Sequence, residues 1–172
     1  DFAEDAVGKA PSLLGEALSR GNLTIASTLL AAGAKPAEAE GATLLVAALK
    51  TDGAHLVEPL IAALGPERAA APGGVGELVR EWTPLMHAAK VGQAGPIEAL
   101  LKAKADVNAR MARHEGTALM VAVQHSQLPA ARLLLAANAD VELADDQGWR
   151  ALQWAAQMGH VDMVSLLLRE AK

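Results

Sequence analysis

The hydrophobic residues of this chain recur at helical spacing, and the whole pattern repeats along the second half of the sequence. The segment Thr83-Pro84-Leu85-Met86-His87-Ala88-Ala89 has counterparts at residues 117–123 and 150–156, which start 34 and 33 residues apart. A double leucine closes the apolar run after each segment, at residues 100–101, 134–135 and 167–168. A period of this length, with two short amphipathic helices in each copy, predicts an array of stacked helical repeats.

Two weaker copies, at residues 12–34 and 43–61, precede these three and bring the array to five units. No single unit can bury its apolar face alone, but stacked units can share one core. We expect Thr83-Pro84 to form a helix N-cap with proline in the first turn. The alanine pairs at 88–89 and 155–156 suit close helix contacts, and the double leucines should fill the space between units. The alternative is a helical bundle whose periodicity is accidental.

This pattern resembles the ankyrin repeat family, whose consensus carries T-P-L-H-x-A-A, a G-H pair, a double leucine and a G-A-D-V-N tail. Residues 83–108 carry most of it, Gly159-His160 supplies the G-H pair, and the resemblance covers about residues 11–172. It implies an all-α solenoid of paired antiparallel helices with short β-hairpin-like fingers. It also implies one domain over residues 1–172, with units near 11–41, 42–81, 82–115, 116–148 and 149–172.

Two connections between repeats are longer than the family spacing. Glycines and prolines in the segment 65–82 predict an inserted long finger, which is an extended loop with a short helical turn at 77–79. We expect residues 71–76 to be flexible, so that replacing them by a short Gly-Ser link leaves thermal stability nearly unchanged. The connection from Asn108 to Thr117 is one residue too long, which predicts a bulged finger. Phe2, Ala6 and Val7, ahead of the repeats, are expected to cover the first unit.

The composition excludes several classes of function. Apolar residues make up 52% of the chain and charged residues 20%, which excludes wholesale disorder. The net charge of −5 argues against nucleic acid or an anionic membrane as the main partner. No apolar run is long enough for insertion into a membrane. The absence of cysteine excludes disulfides, thiolate catalysis and zinc–thiolate sites.

The sequence contains no recognisable catalytic constellation, so we expect no enzymatic activity, no metal and no cofactor. None of the five histidines stands at a paired ligand spacing such as H-x-x-x-H. Gly73-Gly74-Val75-Gly76 resembles a phosphate cradle but lacks the Lys-Ser/Thr that would follow it. Asp145-Asp146 falls at a predicted fingertip and is interpreted as turn chemistry. The resemblance assigns His160, in the G-H pair, a structural role.

The resemblance implies that partners dock on the fingertips and on the concave face formed by the first helix of each unit. All three tryptophans map to that surface and none to the inter-unit core. Trp82 and Trp149 fall at fingertips, and Trp154 falls at a concave position equivalent to His87. The same frame places Lys90, Val91, Gln124, His125, Gln157 and Met158 on the first-helix rim and Arg113, His114, Asp146 and Gln147 at fingertips.

Tryptophan is enriched at interface hot spots, so Trp82→Ala should weaken partner binding by about 2 kcal/mol or more. The alternative is that the indoles fill gaps between fingers and stabilise the stack. For His87, the alternative is a surface histidine without a role.

These features favour a non-enzymatic module that binds a folded protein partner through its concave face and fingertips. A narrower hypothesis is an inhibitor or self-protection (immunity-type) protein that occludes the active site of a partner enzyme. A structural role, in which the apolar end at 166–168 pairs two chains, is a third class, although we expect a monomer when unbound. The alanine- and leucine-rich composition favours a bacterial source. The start at Asp1 favours a cleaved leader, and with it the periplasm over the cytoplasm.

Overall fold

The computed structural model describes residues 12–36, 40–69 and 82–170 of the chain. These residues form ten α-helices in five consecutive pairs. The pairs are α1 (Leu13–Ser19) with α2 (Leu23–Ala31), α3 (Gly41–Lys50) with α4 (Val57–Ala69), α5 (Pro84–Val91) with α6 (Ala94–Lys102), α7 (Ala118–Gln124) with α8 (Leu128–Ala136), and α9 (Ala151–Gln157) with α10 (Val161–Glu170). A 3₁₀ turn, Ala54–Leu56, leads into α4.

The helices form two layers. The first helices of the pairs, α1, α3, α5, α7 and α9, pack on one another in chain order, and the second helices, α2 to α10, do the same. Because only a few residues join the two helices of a pair, the helices run antiparallel. The predicted all-α solenoid is therefore confirmed. The exact limits of the five units stay a prediction.

The prediction that Thr83-Pro84 forms a helix N-cap is confirmed. The Thr83 hydroxyl accepts a hydrogen bond from the Met86 amide at 3.3 Å, and Pro84 occupies the first turn of α5. Thr117 caps α7 in the same way through the amide of Met120. Both threonines are buried, so each cap satisfies a donor that water cannot reach. A buried threonine N-cap therefore begins both α5 and α7.

The core runs between the two layers, and it corrects two packing expectations at the last pair of helices. Ala88, Ala89 and Ala155 are fully buried, as close helix contacts require. Ala156, however, is exposed, and Leu168 is 56% exposed. The physical reason is that, in the described chain, α9 packs against a first-layer helix on one side only, and α10 has a second-layer neighbour on one side only.

The connecting fingers contain little regular hydrogen bonding. Among the described residues with a described partner, one isolated antiparallel bridge, between Ala144 and Arg150, stands where the resemblance implied hairpins. The connection from Asn108 to Thr117 has two consecutive residues with left-handed backbone, His114 and Glu115, with φ of 65° and 48°. Positive φ at two consecutive residues is typical of the type I′ turn that closes a tight β-hairpin. The Met111 amide also donates to the Gly116 carbonyl at 2.9 Å, which fits a short hairpin-like finger.

The long finger starts later than the sequence predicts. Gly65 breaks the regular helix, with φ of 74° and ψ of 162°, but helical structure continues beyond it to Ala69. The expectation of an extended loop from Gly65 onward is therefore wrong for its first residues. The predictions for the turn at 77–79, the flexible stretch 71–76, the glycines at 73–76 and residues 1–10 lie outside the described residues.

Candidate functional site

Trp82 packs against a histidine at the start of the third helix pair. It immediately precedes the cap of α5, so the helix start fixes its backbone. Its ring centroid lies 5.2 Å from that of His87, with an interplanar angle of 46°. Lys90, one turn beyond His87 on α5, places its Nζ atom 5.7 Å from the Trp82 ring centroid. The helix thus brings an indole, an imidazole and an ammonium group together, in a geometry that suits aromatic and cation–π attraction.

These three side chains line a groove between the ends of α3 and α5, which we call the basic indole groove. It has a volume of about 520 Å³ and is lined by Leu49, Lys50, Trp82, His87, Lys90 and Val91. Lys50 and Lys90 are exposed, while Trp82 and His87 are half-buried. The groove therefore has an apolar and aromatic floor with two cations at its edge.

His87 is neutral at pH 7. Burial lowers the pKa of its imidazole to about 4, and the positive charges of Lys50 and Lys90 act in the same direction. A neutral imidazole offers one N–H donor and one bare nitrogen acceptor. Among the described residues, neither imidazole nitrogen of His87 nor the indole N–H of Trp82 has a hydrogen-bond partner. Both side chains line the groove.

A second aromatic pair stands at the fifth pair of helices. The ring centroids of Trp149 and Trp154 are 5.1 Å apart, with an interplanar angle of 48°. The indole N–H of Trp154 donates to Asp145 Oδ2 at 2.9 Å. The other carboxylate oxygen of Asp145 accepts from the amides of Gln147 at 3.0 Å and Trp149 at 2.8 Å. Asp145 thus ties the finger to the helix, which confirms its interpretation as turn chemistry.

Neighbouring fingers are cross-linked at their tips. The imidazole of His114 lies 3.3 Å from the carboxylate of Asp146, and the Asp146 amide donates to the His114 carbonyl at 3.1 Å. Arg110 pairs with Glu115 at 2.9 Å within the finger that leads into α7 and also donates to the Ala144 carbonyl of the finger that leads into α9. These two fingers therefore form one connected surface.

The structure brings some predicted site residues together and leaves others dispersed. Trp82, His87, Lys90 and Val91 share the basic indole groove, and Trp149 and Trp154 form the second pair. As expected, none of the three indoles belongs to the buried core, although Trp82 and Trp154 are half-buried and pack against it. The remaining predicted residues lie along the ends of α7 and α9 and on the fingertips: Gln124 is half-buried, and Arg113, His114, His125, Asp146, Gln147, Gln157 and Met158 are exposed.

Sequence reasoning missed Leu49 and Lys50 in the groove. The signal was present, because Lys50 stands 40 residues before Lys90, at the same position of the preceding repeat when Thr43 is aligned with Thr83. First helices lie side by side in the solenoid, so equivalent positions on successive helices become neighbours. The second lysine of the groove could have been found by this alignment.

Other candidate chemistry is structural. The His160 ring nitrogen Nδ1 lies 3.0 Å from the Val123 carbonyl of the preceding unit, which confirms its structural role. Within residues 12–36, 40–69 and 82–170, no group of three or more metal-ligating side chains converges. In the same part of the chain, no helix has the length and apolar character needed to cross a bilayer.

Known proteins with similar sequences share the repeat pattern of this chain. A model of ankyrin repeats matches residues 85–172 as three copies, which is half of the chain. Notch-regulated ankyrin repeat-containing protein A of Danio rerio is 36% identical over 89 residues, covering 50% of this chain and 80% of that protein. Ankyrin repeat and KH domain-containing protein mask-1 of Caenorhabditis elegans is 33% identical over 92 residues, and Neurogenic locus notch homolog protein 1 of Mus musculus is 37% identical over 89. These matches cover 54% and 51% of this chain but only 4% and 3% of the two larger proteins.

Proposed function

The chain belongs to the ankyrin repeat family, and we propose that it binds a folded protein partner through the concave first-helix face and the fingertips. Ankyrin repeats are protein–protein interaction modules, and members of the family are typically non-enzymatic. The side chains of this chain support a particular docking surface.

One observation carries the proposal, namely the unsatisfied polar groups of the basic indole groove. A half-buried donor or acceptor without a partner in the chain is hydrated, and a bound protein can replace that water by a hydrogen bond worth about 0.5–1.5 kcal/mol. In the groove, the indole N–H of Trp82 and both imidazole nitrogens of His87 are in this state among the described residues. Aromatic residues at the centre of such pockets contribute much of the binding energy of an interface.

The surface continues from the groove along the rim of the first helices. Val91 at the end of α5 is 39% exposed, and Met158 just beyond α9 is 42% exposed. Exposed apolar side chains bordered by polar ones are typical of an interface that is dry at its centre and wet at its edge. His125, at the corresponding end of α7, lies between the two in chain order. This rim supports a docking face that spans several units.

Affinity capture tests the proposal. The intact chain is immobilised and exposed to a lysate of its source, and recovered proteins are compared with those captured by Trp82→Ala and by Ile25→Ala. Ile25 is a matched control, because it is an exposed apolar residue, 52% exposed, on α2 of the opposite layer. We expect one protein that is recovered by the parent chain and Ile25→Ala but depleted with Trp82→Ala. Equal recovery by all three chains would contradict a docking face at the groove.

The inhibitor role is the narrower form of this proposal. If the recovered protein is an enzyme, titrating the chain against its activity decides the question. Loss of activity in proportion to added chain would support occlusion of the active site. Full activity in a saturated complex would contradict the inhibitor role and remain consistent with a binding module.

A further inference from the structure

We propose that the basic indole groove binds an acidic side chain of the partner, with an adjacent apolar side chain resting on the ring of Trp82. This inference rests on the proposed function and names the chemistry that the same surface recognises. The ligand is a protein segment that contains Asp or Glu next to a large apolar residue.

The charges of the groove are uncompensated. The ion pairs of the described residues involve arginine or histidine, and neither Lys50 nor Lys90 has a carboxylate partner there. Two ammonium groups therefore face one groove in a chain whose net charge is −5. A carboxylate placed between them would be attracted by both, and the low-dielectric floor of the groove would strengthen that attraction.

The hydrogen-bonding atoms also suit a carboxylate. A carboxylate is an acceptor with two oxygens, and it needs donors that are already desolvated and held in position. The neutral imidazole of His87 supplies one N–H, the indole of Trp82 supplies another, and the lysines supply more. The lowered pKa of His87, caused first by burial, supports this assignment because it keeps the ring in its neutral form at pH 7.

The apolar residues of the groove suit an apolar side chain next to the acid of the ligand. Leu49 and Val91 line the groove beside Trp82, and Val91 is 39% exposed. An aliphatic side chain next to the acid would cover the exposed part of the indole and exclude water from the ion pairs. A solvated anion such as inorganic phosphate lacks this apolar part.

The same electrostatics disfavour an extended polyanion. A nucleic acid needs a continuous cationic track along its backbone. Here the fingertips beyond the groove carry exposed acids, among them Asp140, Glu142 and Asp146. Repulsion from these acids would leave room for one or two negative charges in the groove but not for a charged strand.

A peptide-display selection on the intact chain tests this inference. Random twelve-residue peptides are selected on the parent chain, and individual binders are measured by fluorescence anisotropy as synthetic peptides. We expect enrichment of Asp or Glu next to Leu, Ile, Phe or Met. Replacing the acid by its amide, Glu by Gln or Asp by Asn, should weaken binding at least tenfold.

A matched pair of charge variants locates the effect. Lys50→Gln/Lys90→Gln should weaken the selected peptides at least tenfold. Lys102→Gln/Lys104→Gln, which removes the same charge at exposed lysines outside the groove, should change affinity less than twofold. Circular dichroism and thermal melting of each variant confirm that it is folded. Addition of 1 M salt should weaken binding by the parent and the control, and change the groove variant little.

Three results would overturn the inference. They are a selection that yields no binding peptide, a consensus without acids, or peptides whose affinity survives Lys50→Gln/Lys90→Gln. The proposed function fails by a different result, which is the absence of any protein captured by the intact chain. A captured partner whose affinity does not depend on Lys50 and Lys90 would therefore contradict the acidic ligand, while remaining consistent with a binding module.

Discussion

The third and fifth units place aromatic rings at the same two repeat positions and use them differently. Trp82 with His87 and Trp149 with Trp154 have centroid distances of 5.2 and 5.1 Å and interplanar angles of 46° and 48°. In the fifth unit, Asp145 accepts the hydrogen bond of the Trp154 indole. In the third unit, neither ring has a polar partner among the described residues, and two lysines border it.

The difference shows how to separate a packing indole from a binding one. An indole whose N–H is satisfied within the chain gains little from a partner, whereas an unsatisfied one gains a hydrogen bond that folding left unmade. The residue five positions before Arg150 is Asp145, and the residue five before Thr83 is Leu78, which has no side-chain acceptor. The pair in the fifth unit therefore stabilises a finger, whereas the pair in the third unit has no polar partner among the described residues, as the proposed binding role requires.

The largest effect on stability should come from removing the Asp145 carboxylate, which holds the finger beside Trp149 and Trp154. Asp145→Ala removes the acceptor of three hydrogen bonds, to Gln147, Trp149 and Trp154. Bonds to a charged acceptor contribute more than neutral ones, so we expect a loss of about 3 kcal/mol in the free energy of unfolding. Urea denaturation followed by circular dichroism measures it.

The adjacent acid provides the control for that variant. Asp146→Ala removes a carboxylate of the same finger that is exposed and pairs only with the exposed His114 side chain. We expect it to cost less than about 0.5 kcal/mol. Equal destabilisation by the two variants would mean that Asp145 is an ordinary surface acid and that the comparison is wrong.

The next effect concerns the third unit and is measured on binding. Trp82→Ala should weaken the captured partner by about 2 kcal/mol, or roughly thirtyfold, if the indole is a hot spot. Trp82→Phe keeps an aromatic ring against His87 and removes the N–H, so it should weaken binding by about 1 kcal/mol and leave stability nearly unchanged. Isothermal titration calorimetry with the purified partner distinguishes the two variants. Unchanged affinity in both would assign Trp82 to packing alone.

The burial of His87 in the third unit can be tested by measuring stability as a function of pH. Its pKa is about 4 in the folded chain and 6.5 in the unfolded chain, so between these values the unfolded state binds more protons. The stability that depends on neutral His87 is complete above about pH 6.5 and is lost as the pH falls toward 4. The full shift corresponds to about 3 kcal/mol, which solvent screening at this half-buried ring reduces to about 1–2 kcal/mol.

The measurement compares the parent chain with His87→Gln at pH 7 and pH 4.5. Both chains lose stability from other groups on acidification, so the relevant quantity is the difference between their losses. The parent chain should lose about 1 kcal/mol more than the variant, on the same scale of screening. Parallel losses in the two chains would show that His87 is not desolvated in the groove.

The sequence predicted the fold through positions that pack in every repeat. Thr83 caps its helix as expected, and Thr117 does the same, because an N-cap depends on neighbours only three residues away. Ala156 and Leu168 were predicted wrongly, because burial in a stack depends on what lies beyond the unit. A repeat pattern describes an interior unit and carries no information about a unit with one neighbour.

The candidate site was predictable only in part. Repeat position placed Trp82 at a fingertip and His87 on the concave face, but it did not indicate that the two rings meet. It did not indicate that Asp145 would take the indole N–H of Trp154, because that bond depends on the turn in the finger. The neutral state of His87 depends on burial together with Lys50 from another helix. Such properties arise from packing between units and have no signature in one unit alone.

The smallest effect tests whether the finger of the fifth unit is also held from outside. His114 and Asp146 lie 3.3 Å apart across two fingers, with side chains 71% and 43% exposed. Such a pair contributes little, so a double-mutant cycle with His114→Asn and Asp146→Asn should give a coupling below about 0.5 kcal/mol. The coupling should also decrease in 1 M salt, because exposed charges are screened. A coupling above about 1 kcal/mol that persists in salt would show that the contact between the fingers, and not Asp145 alone, holds this finger rigid.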